Sequence, residues 1–141
     1  MEREFQVGTR ELAPALDALE AALRGGGVPE ETLLELRLVA EEVLSNVARY
    51  GHDDGAPHQA RVRLTLLAGE VTLEFSDDGQ PFDPLSAPPP DLDAPLEERP
   101  IGGLGIHLLR SLVDELQYAR VGSRNVLTVT KRVAGPSGEV A

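Results

Sequence analysis

The apolar positions of this 141-residue chain change period once, near residue 51, and that change limits the fold more than any other feature. Before it, Leu12, Leu16, Leu19 and Leu23 step by 4, 3 and 4, and Leu33, Leu36, Ala40, Val43 and Val47 step by 3, 4, 3 and 4. Each set lies on one face of a helix. After it, Val62, Leu64 and Leu66 alternate with Arg61, Arg63 and Thr65, and Val71, Leu73 and Phe75 with Thr72, Glu74 and Ser76. Period 2 belongs to strands with one buried face.

The spacing predicts a first helix from Thr9, as N-cap, to the stop at Gly25-Gly26-Gly27. Pro29 opens a second helix that runs to about Gly51, with Glu30 and Glu31 at its positive end. The hairpin turns at Ala68-Gly69-Glu70. Residues 4–7 read as a short edge strand. A third helix is predicted over 104–117, with Leu108, Leu109, Leu112, Val113 and Leu116 inward. Strands at 118–121 and 126–132 close the chain around a Gly122-Ser123-Arg124-Asn125 turn. Three helices can cover a sheet's apolar face only from one side, so the expected fold is α/β: a two-layer sandwich, a mixed β-sheet covered on one face by three helices. It forms a single domain over residues 1–133, with a frayed tail at 134–141. Residues 84–100 hold six prolines and read as an irregular segment longer than a compact domain usually tolerates without a purpose.

Thirteen Lys and Arg against 24 Asp and Glu leave a formal charge of −11. Such a surface repels phosphate backbones, so no direct nucleic acid contact is expected. The chain has no Cys, which excludes disulfides, thiolate zinc sites and cysteine nucleophiles. No apolar run approaches the ~20 residues of a membrane span, and the opening Met1-Glu2-Arg3-Glu4 is not a signal peptide, so the expectation is a cytoplasmic protein off the membrane. Lys131 is the only lysine, which rules out a phosphate loop of the GxxxxGK[ST] kind. A nucleotide here must be held through backbone N–H groups and a metal.

Three constellations could carry chemistry. Glu42 and Asn46, four apart on the second helix, share a face, and Arg49 and Tyr50 follow a turn later. A carboxylate and an amide at this spacing can hold an oxygen-coordinated Mg²⁺ and align a hydroxyl for attack, although such a pair is ordinarily a solvated helix face. Ser76-Asp77-Asp78-Gly79-Gln80-Pro81-Phe82-Asp83-Pro84 ends a strand. There Asp77 can accept from the exocyclic amine of adenine and Gly79 lets a backbone approach a ligand, while Asp-Gly is also ordinary turn chemistry. Gly102-Gly103-Leu104-Gly105 opens the third helix, where exposed N–H groups and the helix dipole attract anions; glycines serve hinges equally. His52, His58 and His107 are scattered and read as structural or surface residues.

Taken together, in this order, these stretches resemble the GHKL family of ATP-binding domains (the Bergerat fold), and within it the anti-sigma-factor serine/threonine protein kinases of bacterial partner-switching systems. The resemblance runs from about Phe5 to Arg132. Its stretches are Ala40-Glu41-Glu42-Val43-Leu44-Ser45-Asn46, the Ser76 to Pro84 segment, Gly102-Gly103-Leu104-Gly105-Ile106 through Val113-Asp114-Glu115, and Asn125-Val126-Leu127-Thr128-Val129-Thr130-Lys131. It implies ATP and Mg²⁺ as cofactors, with Asn46 as the metal ligand and Glu42 as the general base. Asp77 would take the adenine amino group beside Gly79. It further implies nucleotide contact at Arg49, Tyr50, Phe82, Gly102, Gly103, Leu104, Gly105 and Ile106, with residues 84–101 as the ATP lid. Tyr50 stands where relatives often carry a His, and Val126 where some carry a phosphate-contacting Thr.

By the same resemblance the chain would be a protein serine/threonine kinase and anti-sigma factor that sequesters a sigma factor and phosphorylates a STAS-domain anti-anti-sigma factor. A homodimer through the sheet is compatible with it. Two alternatives share the fold: an ATP-binding partner-switch adaptor without phosphotransfer, and a switch kinase acting on a phosphatase pathway. A detached histidine-kinase catalytic domain would need a phosphoacceptor helix pair elsewhere.

Overall fold

The computed structural model describes residues 1–50, 59–81, 83 and 109–133. The elements follow in the order β1 (Glu2–Gly8), α1 (Ala13–Gly25), α2 (Glu30–Tyr50), β2 (Gln59–Leu67), β3 (Glu70–Asp77), β4 (Glu115–Val121) and β5 (Arg124–Arg132). Residues 109–112 are also helical, the described end of the third helix. The strands form one five-stranded sheet in the order β1-β2-β3-β5-β4. Every described pairing is antiparallel, so the sheet is antiparallel rather than mixed. β3 and β4 do run the same way, but β5 lies between them.

The two-layer sandwich is as expected. Val7, Ala60, Val62, Leu64, Val71, Leu73, Phe75, Leu127 and Val129 point from one sheet face into a single core. Leu16, Leu19 and Leu23 of α1, Leu33, Leu36, Val39, Ala40, Val43 and Leu44 of α2, and Leu109 fill it from the helical side. Burial of these side chains supplies the main stabilisation, roughly 1.5–3 kcal/mol for each large one. The opposite sheet face is polar, and Arg61 meets Glu4 there at 3.0 Å.

Two helix boundaries differ from the sequence reading, and the strands expected at 4–7, 118–121 and 126–132 begin two or three residues earlier, at Glu2, Glu115 and Arg124. Thr9 does not cap α1: the N-cap position is Leu12, without a side-chain cap, and Pro14 occupies the first turn. Glu11 N donates to the Gly8 carbonyl at 3.2 Å, so residues 8–11 turn before the helix begins. The third helix ends at residue 112, not at Gln117. Asp114 N donates to the Thr130 carbonyl at 2.9 Å, and the chain enters β4 from there. Leu116 and Tyr118 fit a strand alternation as well as Leu112 and Leu116 fit a helical one, and pairing with β5 decides between them. The tail at 134–141 and the proline-rich segment at 84–100 lie outside the described residues.

Between α1 and α2, Arg24 donates to Glu30 Oε1 at 2.6 Å and Oε2 at 3.2 Å. This guanidinium holds the Glu30 carboxyl below its ordinary range. Both side chains are exposed, and such pairs contribute little to stability.

Candidate nucleotide site

Two contacts anchor the first half of α2 on the sheet. At its start, Gly26 lies so close to Leu66 that an added Cβ would meet Leu66 Cδ2 at 2.5 Å, which puts the α1–α2 turn at the far end of β2. Lys131 Nζ lies 3.7 Å from Glu35 Oε2, and Lys131 is registered opposite Val71 at the start of β3. Both contacts fall on the cross-sheet row of Leu66, Val71 and Lys131, so the start of α2 is anchored at that level. At the other end of β3, Asp77 lies opposite Asn125, near the start of β5.

Asn46 is 4% exposed and Glu42 half-buried. Asn46 Nδ2 faces Glu42 Oε1 at 3.5 Å, a long and weak hydrogen bond. An ordinary solvated pair would not bury its amide, so the expectation of an exposed Asn gives way to a buried polar group at the helix's inner edge. Among the described residues no group of three or more His, Asp and Glu could cage a metal. The donor set fits a cation held by one side-chain oxygen, its other ligands being phosphate oxygens and water, the usual habit of Mg²⁺.

Asp77 is 5% exposed and carries its hydrogen bonds on one oxygen. Gly79 N donates to Oδ1 at 2.9 Å, closing a tight turn, and Asn125 Nδ2 donates to the same atom at 3.2 Å. Among the described residues no donor reaches Oδ2. A buried carboxylate with one satisfied oxygen and one open one is an acceptor for an N–H donor.

The β4–β5 hairpin clamps this turn. Asn125 also donates to the Gln80 carbonyl at 2.8 Å, Arg120 to the Gly79 carbonyl at 2.7 Å and Arg124 to Ser76 Oγ at 3.3 Å. Sequence reasoning assigned Asn125 to a four-residue turn and missed this role. The turn is two residues long, Gly122-Ser123, with φ +61° at Gly122, and β5 begins at Arg124. A Gly-Ser pair between alternating segments was the available signal. Val126, beside it, alternates onto the opposite sheet face from buried Asn125 and Leu127. The side chains of Arg49 and Tyr50, together with Phe82, Gly102, Gly103, Leu104, Gly105, Ile106 and the expected lid, lie outside the described residues.

Residues 5–131 match the model of the histidine kinase-like ATPase domain. The chain belongs to that family, the GHKL ATP-binding fold, and is therefore an ATP-binding domain of kinase-like type. It is 33% identical over 102 residues to the serine/threonine-protein kinase BtrW of Bordetella bronchiseptica, covering 72% of each chain. It is 32% identical over 109 residues to the blue-light-activated histidine kinase 2 of Erythrobacter litoralis, but spans 28% of that longer protein. Among solved structures, the histidine kinase AdeS of Acinetobacter baumannii superposes with a TM-score of 0.51 at 16% identity, over 93% of this chain and 68% of the other. At that identity the likeness concerns the fold. Among the described residues no helix is long and apolar enough to cross a membrane.

Proposed function

We propose that this chain is an ATP-dependent protein serine/threonine kinase and anti-sigma factor, sequestering a sigma factor and phosphorylating its STAS-domain antagonist in the cytoplasm. The observation that carries the reading is Glu42 set one turn before buried Asn46 on α2, in a chain whose β3 ends at a buried Asp77. The likeness to BtrW, a named serine/threonine-protein kinase matched over the same share of both chains, supports the acceptor class.

In this reading Asp77 Oδ2 accepts the adenine amino group and Gly79 allows the base to approach. Backbone N–H groups of residues 102–106 take the phosphates, and Phe82, Arg49 and Tyr50 border the nucleotide. Asn46 holds Mg²⁺, which when bound supplies charge neutralisation across the phosphates. Glu42 takes the proton of the acceptor serine or threonine hydroxyl. The hydroxyl oxygen bonds to the γ-phosphorus as the bond from that phosphorus to the bridging oxygen breaks, and ADP leaves with the electron pair. A homodimer belongs to the same reading. The polar sheet face carries Glu2, Glu4, Arg61 and Arg63 in balance, so two copies can meet there despite a net charge of −11.

Intact-mass spectrometry of this chain mixed with Mg·ATP and the STAS-domain protein encoded nearest to it tests the proposal. Gain of one phosphate on serine or threonine of the STAS protein, absent with Glu42→Gln, is the expected result. ATP binding with no transfer to any STAS-domain protein, together with retained sigma-factor capture, would instead identify a sequestering adaptor.

A further inference from the structure

Asn125 bonds through both ends of its side-chain amide. Its Nδ2 serves two acceptors, Asp77 Oδ1 at 3.2 Å and the Gln80 carbonyl at 2.8 Å. Its Oδ1 accepts from the Tyr118 hydroxyl at 2.5 Å. A flipped amide would set Oδ1 against a carboxylate and a carbonyl, so the orientation is determined from both sides. Asn125 is 6% exposed, which makes an unmet hydrogen bond there costly. Tyr118 stands on β4, an edge strand of the sheet, and reaches Asn125 across the hairpin. Its hydroxyl donates to Asn125 Oδ1, and Asn125 in turn donates to Asp77.

We infer that Tyr118 is a specificity-determining positioning residue of the adenine pocket: through Asn125 it holds the Asp77 carboxylate with Oδ2 turned to the base. The inference rests on the reading that Asp77 receives the adenine amino group. Its physical basis is the plane of the carboxylate. With Oδ1 pinned by Gly79 N and Asn125 Nδ2, Oδ2 has one direction, and it rewards a 6-amino donor while opposing a 6-oxo acceptor. Without the Tyr118 hydroxyl the amide loses one of the bonds that hold its orientation. The carboxylate then gains freedom to turn away from the 6-amino donor, so ATP loses affinity and discrimination between bases narrows, while the phosphates play no part.

The test is equilibrium binding of ATP and of inosine triphosphate, which carries oxygen in place of the amino group, to the full chain with Mg²⁺. Wild type is expected to prefer ATP by about 10-fold or more. Tyr118→Phe is expected to narrow that ratio by about 3- to 10-fold, chiefly through weaker ATP binding, with inosine triphosphate affinity nearly unchanged. Asn125→Ala should narrow it at least as far, and adding Tyr118→Phe to Asn125→Ala should change nothing further, because the hydroxyl acts through the amide. A Tyr118→Phe protein that melts earlier yet keeps the wild-type ratio has lost only a structural contact, and overturns the inference. Independent effects of the two substitutions overturn it as well. No preference for ATP in wild type removes the Asp77 reading itself, an outcome distinct from the other two.

Discussion

Lys131 Nζ donates to the Leu112 carbonyl at 2.5 Å, so the chain's only lysine caps the last turn of the third helix. The same ammonium lies 3.7 Å from Glu35 on α2, which ties β5, the third helix and α2 together at the end of the sandwich away from Asp77. A cation at a helix C-terminus satisfies an orphan carbonyl and complements the dipole. The lysine that cannot build a phosphate loop is spent on architecture.

Replacing it by methionine keeps the stem and removes the cap. Lys131→Met is expected to lower stability by about 1 kcal/mol, read as a shift in the urea midpoint at unchanged slope. Because the cap is remote from the nucleotide end, ATP affinity should stay within about twofold. A variant with wild-type stability would show that the carbonyl is equally well served by water.

The β2–β3 turn makes a prediction of opposite sign at adjacent positions. Ala68 has φ +47° and Gly69 φ +78°, the left-handed pair that a two-residue hairpin with the sheet's own twist requires. Alanine is strained there, so Ala68→Gly should stabilise by up to about 0.5 kcal/mol after the loss of chain stiffness is deducted. A Cβ on Gly69 would meet the Val133 carbonyl oxygen at 3.1 Å in addition to the strain, and Gly69→Ala should destabilise by about 1–2 kcal/mol. Thermal melts of the two variants moving in the same direction would refute this account of the turn.

The elements whose apolar period is unambiguous were readable before any coordinates: α1 and α2 from their 3-and-4 spacing, β2 and β3 from strict alternation around Ala68-Gly69. What escaped was set by partners distant in sequence. The helix predicted to Gln117 stops at residue 112 because Lys131 takes the Leu112 carbonyl and Thr130 recruits Asp114. Asn125 looked like turn chemistry until the register set it opposite Asp77. The importance of Asp77 was visible in its position before a glycine, whereas the Asn125 amide that donates to it comes from 48 residues further on, which no local pattern encodes. Asn46 was legible as a candidate, but its burial depends on how α2 lies on the sheet.

That burial changes what Asn46→Ala should do. The amide is 4% exposed, so its removal costs about 1 kcal/mol even after alanine's better helix propensity is credited. The fold survives such a loss, since small domains hold a reserve of several kcal/mol. Mg²⁺-dependent ATP binding should disappear from a protein whose circular dichroism matches wild type. Unchanged affinity for Mg·ATP in that variant would take the metal away from Asn46.

Glu42→Gln separates binding from chemistry. Glutamine keeps the length and the hydrogen bond that Asn46 Nδ2 makes to this side chain, so the helix face and the nucleotide site stay in place. It cannot take a proton from an acceptor hydroxyl. ATP affinity should therefore stay within about threefold of wild type, while single-turnover phosphotransfer falls by about 10²- to 10⁴-fold, the range that a positioned general base supplies. The fall should appear in the transfer rate and leave the dependence on ATP concentration alone, because the group lost acts only as the proton moves. A Glu42→Gln protein that transfers at the wild-type rate would mean that another group takes the hydroxyl proton, and Glu42 would keep only its place beside Asn46.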